Sequence, residues 1–183
     1  MTLMKGMVFT EFMEMVATTF SEDILDDIIE AAELPHGGSY TAVGTYPYEE
    51  MVRLVAALST RVELPLSELL ITFGDYLFER FYQLYPTFFE GVTNAFDFLK
   101  GIESYIHVEV RKLYPDAELP TFEHSEPEPN RLELVYRSPR QMGLFAYGLI
   151  RGCITHFNEQ ISIDYDDLSD ESGSYIIFTL QHQ

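Results

Sequence analysis

Apolar residues recur at spacings of three and four through the first two-thirds of the chain, and at spacings of two through much of the last third. Met7 to Thr19 is apolar on several sides, which predicts a helix lying between other elements. Ser21 can cap the next helix, with Glu22 and Asp23 in a first turn where the helix dipole favours acids. That helix turns Ile24, Leu25, Ile28, Ile29 and Ala32 inward, and Glu22, Asp26, Glu30 and Glu33 outward. Leu34-Pro35-His36-Gly37-Gly38 stops it and makes a turn. Tyr48 to Arg61 and Ser67 to Leu84 predict two more helices, the second ended by Pro86. From about Thr93 to Leu113 the spacing predicts one long helix whose buried stripe is Phe96, Leu99, Ile102, Ile106, Val110 and Leu113. His107 falls beside that stripe, where an imidazole can reach into a cavity while its other nitrogen finds an acceptor.

Beyond Pro115 the pattern changes. Thr121 to Glu123 and Arg131 to Arg137 read as strands around the polar stretch 125–130. A helix from about Met142 to Phe157 carries Gly143, Gly148 and Gly152, each costing roughly 1 kcal/mol against alanine. Such glycines predict close backbone approach, either to a packed strand or to a flat ligand. Ile161 to Tyr165 and Tyr175 to Leu180 close an antiparallel sheet across an acidic turn, which lacks the ligand spacing of an EF-hand. Helices first and strands later make the class α+β.

Composition narrows the function. The 183 residues suit one domain, with 14 Phe and 12 Tyr but no Trp to fill its interior. A formal net charge of -19 argues against nucleic acid and against anionic membranes, which both need clustered Lys and Arg. It leaves a basic patch on a partner protein as a fitting surface. Cys153 is the only cysteine, which excludes an internal disulfide and suits a reducing cytosol. The start lacks the apolar run of a signal peptide, and no stretch of about 18 apolar residues could span a bilayer. The expectation is a cytoplasmic protein. No Cys-x-x-Cys-His occurs, which excludes the motif of a covalently attached heme, and no zinc spacing is present.

Tyr136, Ser138 and Arg140 carry the sharpest chemistry. On an extended backbone, residues at i, i+2 and i+4 point the same way, so a phenol, a hydroxyl and a guanidinium converge. That set suits a carboxylate, which Arg grips in a fork while the hydroxyls complete its shell. Leu132 and Leu134 share the parity, so the strand buries its lower half and presents donors at its end. Taken alone, such residues ordinarily satisfy local carbonyls or carboxylates.

Three signatures in order, Met4-Lys5-Gly6, then Ile106-His107-Val108-Glu109-Val110-Arg111-Lys112-Leu113-Tyr114-Pro115 with Leu119-Pro120, then Tyr136-x-Ser138-x-Arg140, resemble the heme-nitric oxide/oxygen binding (H-NOX) family. These gas-sensing domains are related to the heme domain of soluble guanylate cyclase, and the similarity runs from Met4 to the final strand. The resemblance implies heme b, with His107 as axial iron ligand and Tyr136, Ser138 and Arg140 on the propionates. It implies that Pro120 presses on and bends the porphyrin. Val8, Phe12, Leu77, Phe145 and Leu149 would line the gas side. Heme would lie between a distal helical subdomain, approximately 1–65, and a proximal helix-and-sheet subdomain, 66–183. Members that hold oxygen stably carry a tyrosine where this chain has Phe145, so the departure points to nitric oxide sensing, with carbon monoxide also bound. Tyr76 and Tyr147 are the other phenols to consider. The resemblance further implies that nitric oxide releases His107 and that the change is read by a signalling partner such as a histidine kinase or a cyclic-di-GMP enzyme. The residues do not select between those two.

Two other classes remain on the sequence. A metal-assisted hydrolase would need converging carboxylates and a His pair, and the acids here are dispersed. A heme-free protein-interaction module on the same fold would make His107 structural; a visible absorption spectrum separates the three.

Overall fold

The computed structural model describes residues 2–183, and they form an α+β fold of helices and antiparallel sheet. Backbone contacts divide the chain into two compact units, Met1–Phe73 and Gly74–Gln183, with the division inside a helix rather than in a turn.

The first unit opens on a strand that the periodicity does not reveal, β1 (Leu3–Lys5), which pairs antiparallel with β2 (Thr45–Pro47). Helices α1 (Gly6–Thr19), α2 (Glu22–Ala31) and α3 (Tyr48–Val62) follow the sequence expectation closely. Ser21 caps α2 as its hydroxyl accepts from the Ile24 amide at 3.2 Å. Phe9, Phe12, Met15, Val16, Ile28, Leu54, Leu58 and Phe73 are fully buried. Gly6 is required where α1 begins, because a Cβ there would strike the Thr41 carbonyl.

Helix α4 (Leu66–Leu84) carries the chain into the second unit, followed by a 3-10 turn at Pro86–Phe89. The expected helix from Thr93 to Leu113 is not continuous. It consists of α5 (Ala95–Lys100), a π-helical turn (Ile102–Ile106) and α6 (His107–Leu113). The Ile106 amide bonds the Gly101 carbonyl at 3.1 Å, five residues back. A wide turn uses one residue more than the α period allows, so the inward face shifts along by one. His107 is accordingly buried, whereas Ile106 and Val110 are half-buried and Leu113, expected in the stripe, is 52% exposed.

Strands β3 (Thr121–Glu128), β4 (Arg131–Ser138), β5 (Ile161–Asp167) and β6 (Ser174–His182) form one antiparallel sheet in the order β3-β4-β6-β5. β3 is longer than expected: residues 125–128, read as loop, belong to it with a bulge between Ser125 and Glu128. The turn that remains places Asn130 at φ 63°, a conformation Asn tolerates. Leu132, Leu134, Ile176, Phe178 and Leu180 form the buried sheet face, joined in one core by Phe96, Leu99, Ala146, Ile150 and Cys153.

The glycines of helix α7 (Gly143–His156) lie at close approaches to neighbouring protein elements. A Cβ on Gly143 would collide with Ile176 of β6, the packed-strand reading. Gly148 and Gly152 instead let α7 lie against α4: a Cβ on Gly152 would come within 2.8 Å of Phe78, and Gly74 on α4 abuts Gly148. Arg151 clasps Asp75 at the rim of the same crossing.

Candidate functional site

The donors at the end of β4 keep the parity that the sequence implies. Leu132 and Leu134 are inaccessible, Tyr136, Ser138 and Arg140 are all buried, and Arg137 between them is exposed. The alternation outlasts the strand itself, which ends at Ser138. A local hydrogen bond accounts for this: the Arg140 amide donates to the Ser138 hydroxyl oxygen at 3.1 Å. The Arg140 carbonyl accepts from the Ser174 hydroxyl and the Met142 amide, each at 2.9 Å. Pinned at both ends of its peptide, Arg140 sends its guanidinium inward and donates to the Glu118 carbonyl at 2.5 Å. Its Nη1 also lies 3.8 Å from the Glu118 carboxylate. Arg140 is thereby tied to the segment just before Pro120, which is half-buried at the entrance to β3.

His107 is the buried residue of α6. Its Nδ1 is 3.0 Å from Glu103 Oε1, and Nε2 has no hydrogen-bond partner among the described residues. Burial pushes the imidazole below its usual range, a pull that the nearby Glu103 carboxylate opposes without reversing. The ring is therefore neutral at pH 7. Glu103 Oε1 faces Nδ1 and also accepts from the Phe122 amide, so it serves as an acceptor; the proton sits on Nδ1 and the lone pair remains on Nε2.

Phe122 brings the two clusters together. Its ring centroid is 6.1 Å from that of His107 and 5.2 Å from that of Tyr136, which in turn lies 6.3 Å from Phe178. Its amide donates to the same Glu103 oxygen at 2.9 Å. Glu103, Glu118 and Phe122 are the participants that the sequence reading misses. Only Glu103 left a trace there, as an acid four residues before His107, a spacing common to ordinary surface pairs.

The apolar residues are distributed over both units. In the first, Val8 is half-buried on α1, and Phe12 is fully buried with its ring edge-on to Phe73 at 5.1 Å and 81°. In the second, Leu77 on α4 is 1% exposed, and Phe145 and Leu149 are half-buried one turn apart on α7. A Cβ on Gly74 would meet the Phe145 carbonyl and lie 2.6 Å from the Leu149 amide, so both belong to the close α4–α7 crossing. Tyr76 is half-buried on α4. Tyr147 packs its ring on Tyr165 and Phe178, at 5.7 and 6.4 Å, and so faces the sheet. Among the described residues, no helix is long and apolar enough to cross a membrane.

The family model described as Haem-NO-binding matches residues 5–165. No curated protein matches the sequence. Among solved structures, the H-NOX protein from K. algicida in the Fe(II) unliganded state is 36% identical, over 98% of this chain and 97% of its own, with a TM-score of 0.90. H-NOX from Shewanella woodyi, bound to IWP-051 in the Fe(II)CO state, is 38% identical over 98% and 95%, with a TM-score of 0.83. The protein from S. oneidensis in the Fe(II)NO state is 25% identical over 98% and 99%, with a TM-score of 0.90. With a match that takes in the buried histidine, the proline at the mouth of β3 and the donors at the end of β4, this chain belongs to the Haem-NO-binding family, whose members are gas-sensor domains that carry heme b without covalent attachment.

Proposed function

We propose that this protein is a nitric oxide sensor in which His107 is the only protein ligand of the heme iron. The observation that carries the reading is the state of that side chain: buried, neutral, held at Nδ1 by a carboxylate, with Nε2 unpartnered among the described residues. A neutral imidazole with a fixed tautomer and a carboxylate behind it suits a metal centre. The donor set at the end of β4 fits the rest of the group, since heme carries two propionates and Tyr136, Ser138 and Arg140 supply a phenol, a hydroxyl and a guanidinium. When bound, heme supplies a ferrous iron with one position left for a diatomic gas.

The chain's own residues supply the remainder. Arg140 and Ser138 are fixed by the bonds around the Arg140 peptide, so their donors are set before a carboxylate arrives. Pro120 is assigned to bend the porphyrin, and the Arg140–Glu118 bond holds the segment that presents it. Val8, Phe12, Leu77, Phe145 and Leu149 are assigned to the gas side. All five are apolar, so none can donate to bound oxygen, whereas nitric oxide and carbon monoxide depend far less on such a bond. The absence of a donor among them supports nitric oxide as the physiological ligand.

The signal is the position of the His107 ring, held at Nε2 in one state and released in the other. Gas binding shifts a two-state equilibrium only if the states differ in affinity, and loss of the bond to Nε2 is such a difference. Coupling energies of about 1–3 kcal/mol would change a partner's affinity or output by roughly 5–150-fold. That partner is a signalling protein such as a histidine kinase or a cyclic-di-GMP enzyme, and the net charge of -19 favours a basic docking face on it.

The test is electron paramagnetic resonance of the ferrous protein with nitric oxide. The expected spectrum shows no splitting from a histidine nitrogen, while carbon monoxide leaves the histidine bound and changes partner output weakly. Histidine coupling that persists with nitric oxide at equilibrium overturns the mechanism.

A further inference from the structure

One oxygen of Glu103 serves two donors that belong to different elements. Oε1 accepts from His107 Nδ1 at 3.0 Å and from the Phe122 amide at 2.9 Å. The first donor is on a helix and the second on β3, an edge strand of the sheet. Amides on the outer side of an edge strand have no ladder partner. That of Phe122 finds the carboxylate instead. This also fits the approach of the Phe122 and Tyr136 rings across the strand pair, since side chains lie nearer in pairs that do not exchange backbone bonds.

An ordinary His–Glu pair one turn apart is solvated and worth little. Here the imidazole side chain is only 10% exposed, and the carboxylate, at 35%, has its reach set by the π turn that contains it. Moving the ring therefore moves an acceptor on which the start of β3 depends. Pro120 is two residues before Phe122, and Glu118, held by Arg140, is two residues before Pro120.

We propose that Glu103 is a positioning residue: it fixes the tautomer and orientation of His107, raises the donor strength of Nε2, and couples the position of the ring to the first residues of β3. The proposal rests on the reading of His107 as the iron ligand. Binding carboxylate to Nδ1–H makes an imidazole a stronger ligand, so the iron–histidine bond of the resting protein is stiffer than Nε2 alone would give. When Nε2 is released, the ring is left with Glu103 as its polar anchor, and the Phe122 amide shares that anchor. The exit for the signal is thus the edge of the sheet at Thr121–Phe122.

The test uses the full heme-loaded chain with Glu103→Ala and Glu103→Gln, and two readouts other than signalling output. The first is the iron–histidine stretching frequency of the ferrous protein by resonance Raman. The second is amide exchange at Phe122 by NMR in the diamagnetic carbon monoxide-bound state. Glu103→Ala is expected to lower the stretching frequency and to speed Phe122 exchange by roughly ten- to a hundredfold, the loss of a charge-assisted bond. Glu103→Gln keeps an acceptor without the charge, so it should retain most of the Phe122 protection while still lowering the frequency. It also carries the test if the alanine variant folds poorly. A wild-type frequency in both variants, or unchanged Phe122 exchange in Glu103→Ala, overturns the proposal. Failure of the underlying reading looks different: the wild-type protein would show no iron–histidine band at all.

Discussion

Gly74 on α4 faces Gly148 on α7 so closely that a Cβ on Gly74 would lie 2.7 Å from the Gly148 Cα and run into the Phe145 carbonyl. Both obstacles are backbone, so no side chain can rotate away. Gly74→Ala should therefore force the helices apart despite the better helix propensity of alanine. Overpacking of this kind costs about 1–3 kcal/mol. In a chain of this size that is a fall in Tm of roughly 2–12 °C, measurable by thermal melting of the heme-loaded protein. An unchanged Tm would show that α4 and α7 separate freely.

His107→Gly tests the axial ligand. The variant should load heme poorly, and added imidazole should restore the Soret and visible bands by standing in for the missing ring. An unaltered ferrous spectrum without imidazole would remove His107 from the iron.

Arg140→Ala tests the anion clamp. Loss of a charge-assisted bond at a buried site costs on the order of 2–3 kcal/mol, which lowers heme retention tens-fold or more. The same change frees the Glu118 carbonyl, so the Pro120 segment should loosen as well. Tyr136→Phe should show a milder loss, because its ring contacts with Phe122 and Phe178 survive. Heme dissociation into an excess of apomyoglobin measures both. A wild-type off-rate in Arg140→Ala would refute the propionate role.

Phe145 tests gas selectivity. The wild-type ferrous protein should hold no oxygen stably in air and should bind nitric oxide and carbon monoxide. Phe145→Tyr adds a phenol to the half-buried face of α7 and should slow oxygen loss and autoxidation. A stable oxygen spectrum in the wild-type protein would direct attention to Tyr76, since Tyr147 is engaged with the sheet.

Much of this architecture can be read from the chain, and the exceptions have physical causes. The Ser21 cap and the inward face of α2 follow local rules and appear as expected. The parity from Leu132 to Arg140 is visible because pleating alternates side chains whatever lies around them. The three glycines of α7 announce close approach, yet nothing local tells a helix from a ligand as the neighbour. The π turn before His107 escapes periodicity because its extra residue is absorbed without any distinctive composition. Glu103 escapes for a related reason: its second donor, the Phe122 amide, is distant in sequence and has no side-chain identity to signal it.

The wide turn at Ile102–Ile106 makes His107 a matter of counting. Each residue in an α-helix advances the face by about 100°, so a one-residue surplus decides which side chain points inward. With Gly101 fixed by its bonds to Asp97 and Phe98, the number of residues that follow determines whether an imidazole or an isoleucine is turned to the interior. Substitutions within the turn would leave that arithmetic intact. Removing a single residue between Glu103 and His107 would let the turn close to ordinary α geometry, leave the imidazole on the inward face, and change its spacing from the carboxylate from four residues to three. The aim of the histidine thus depends on the residue count and the wide turn together, a pairing that the identities of the residues do not display.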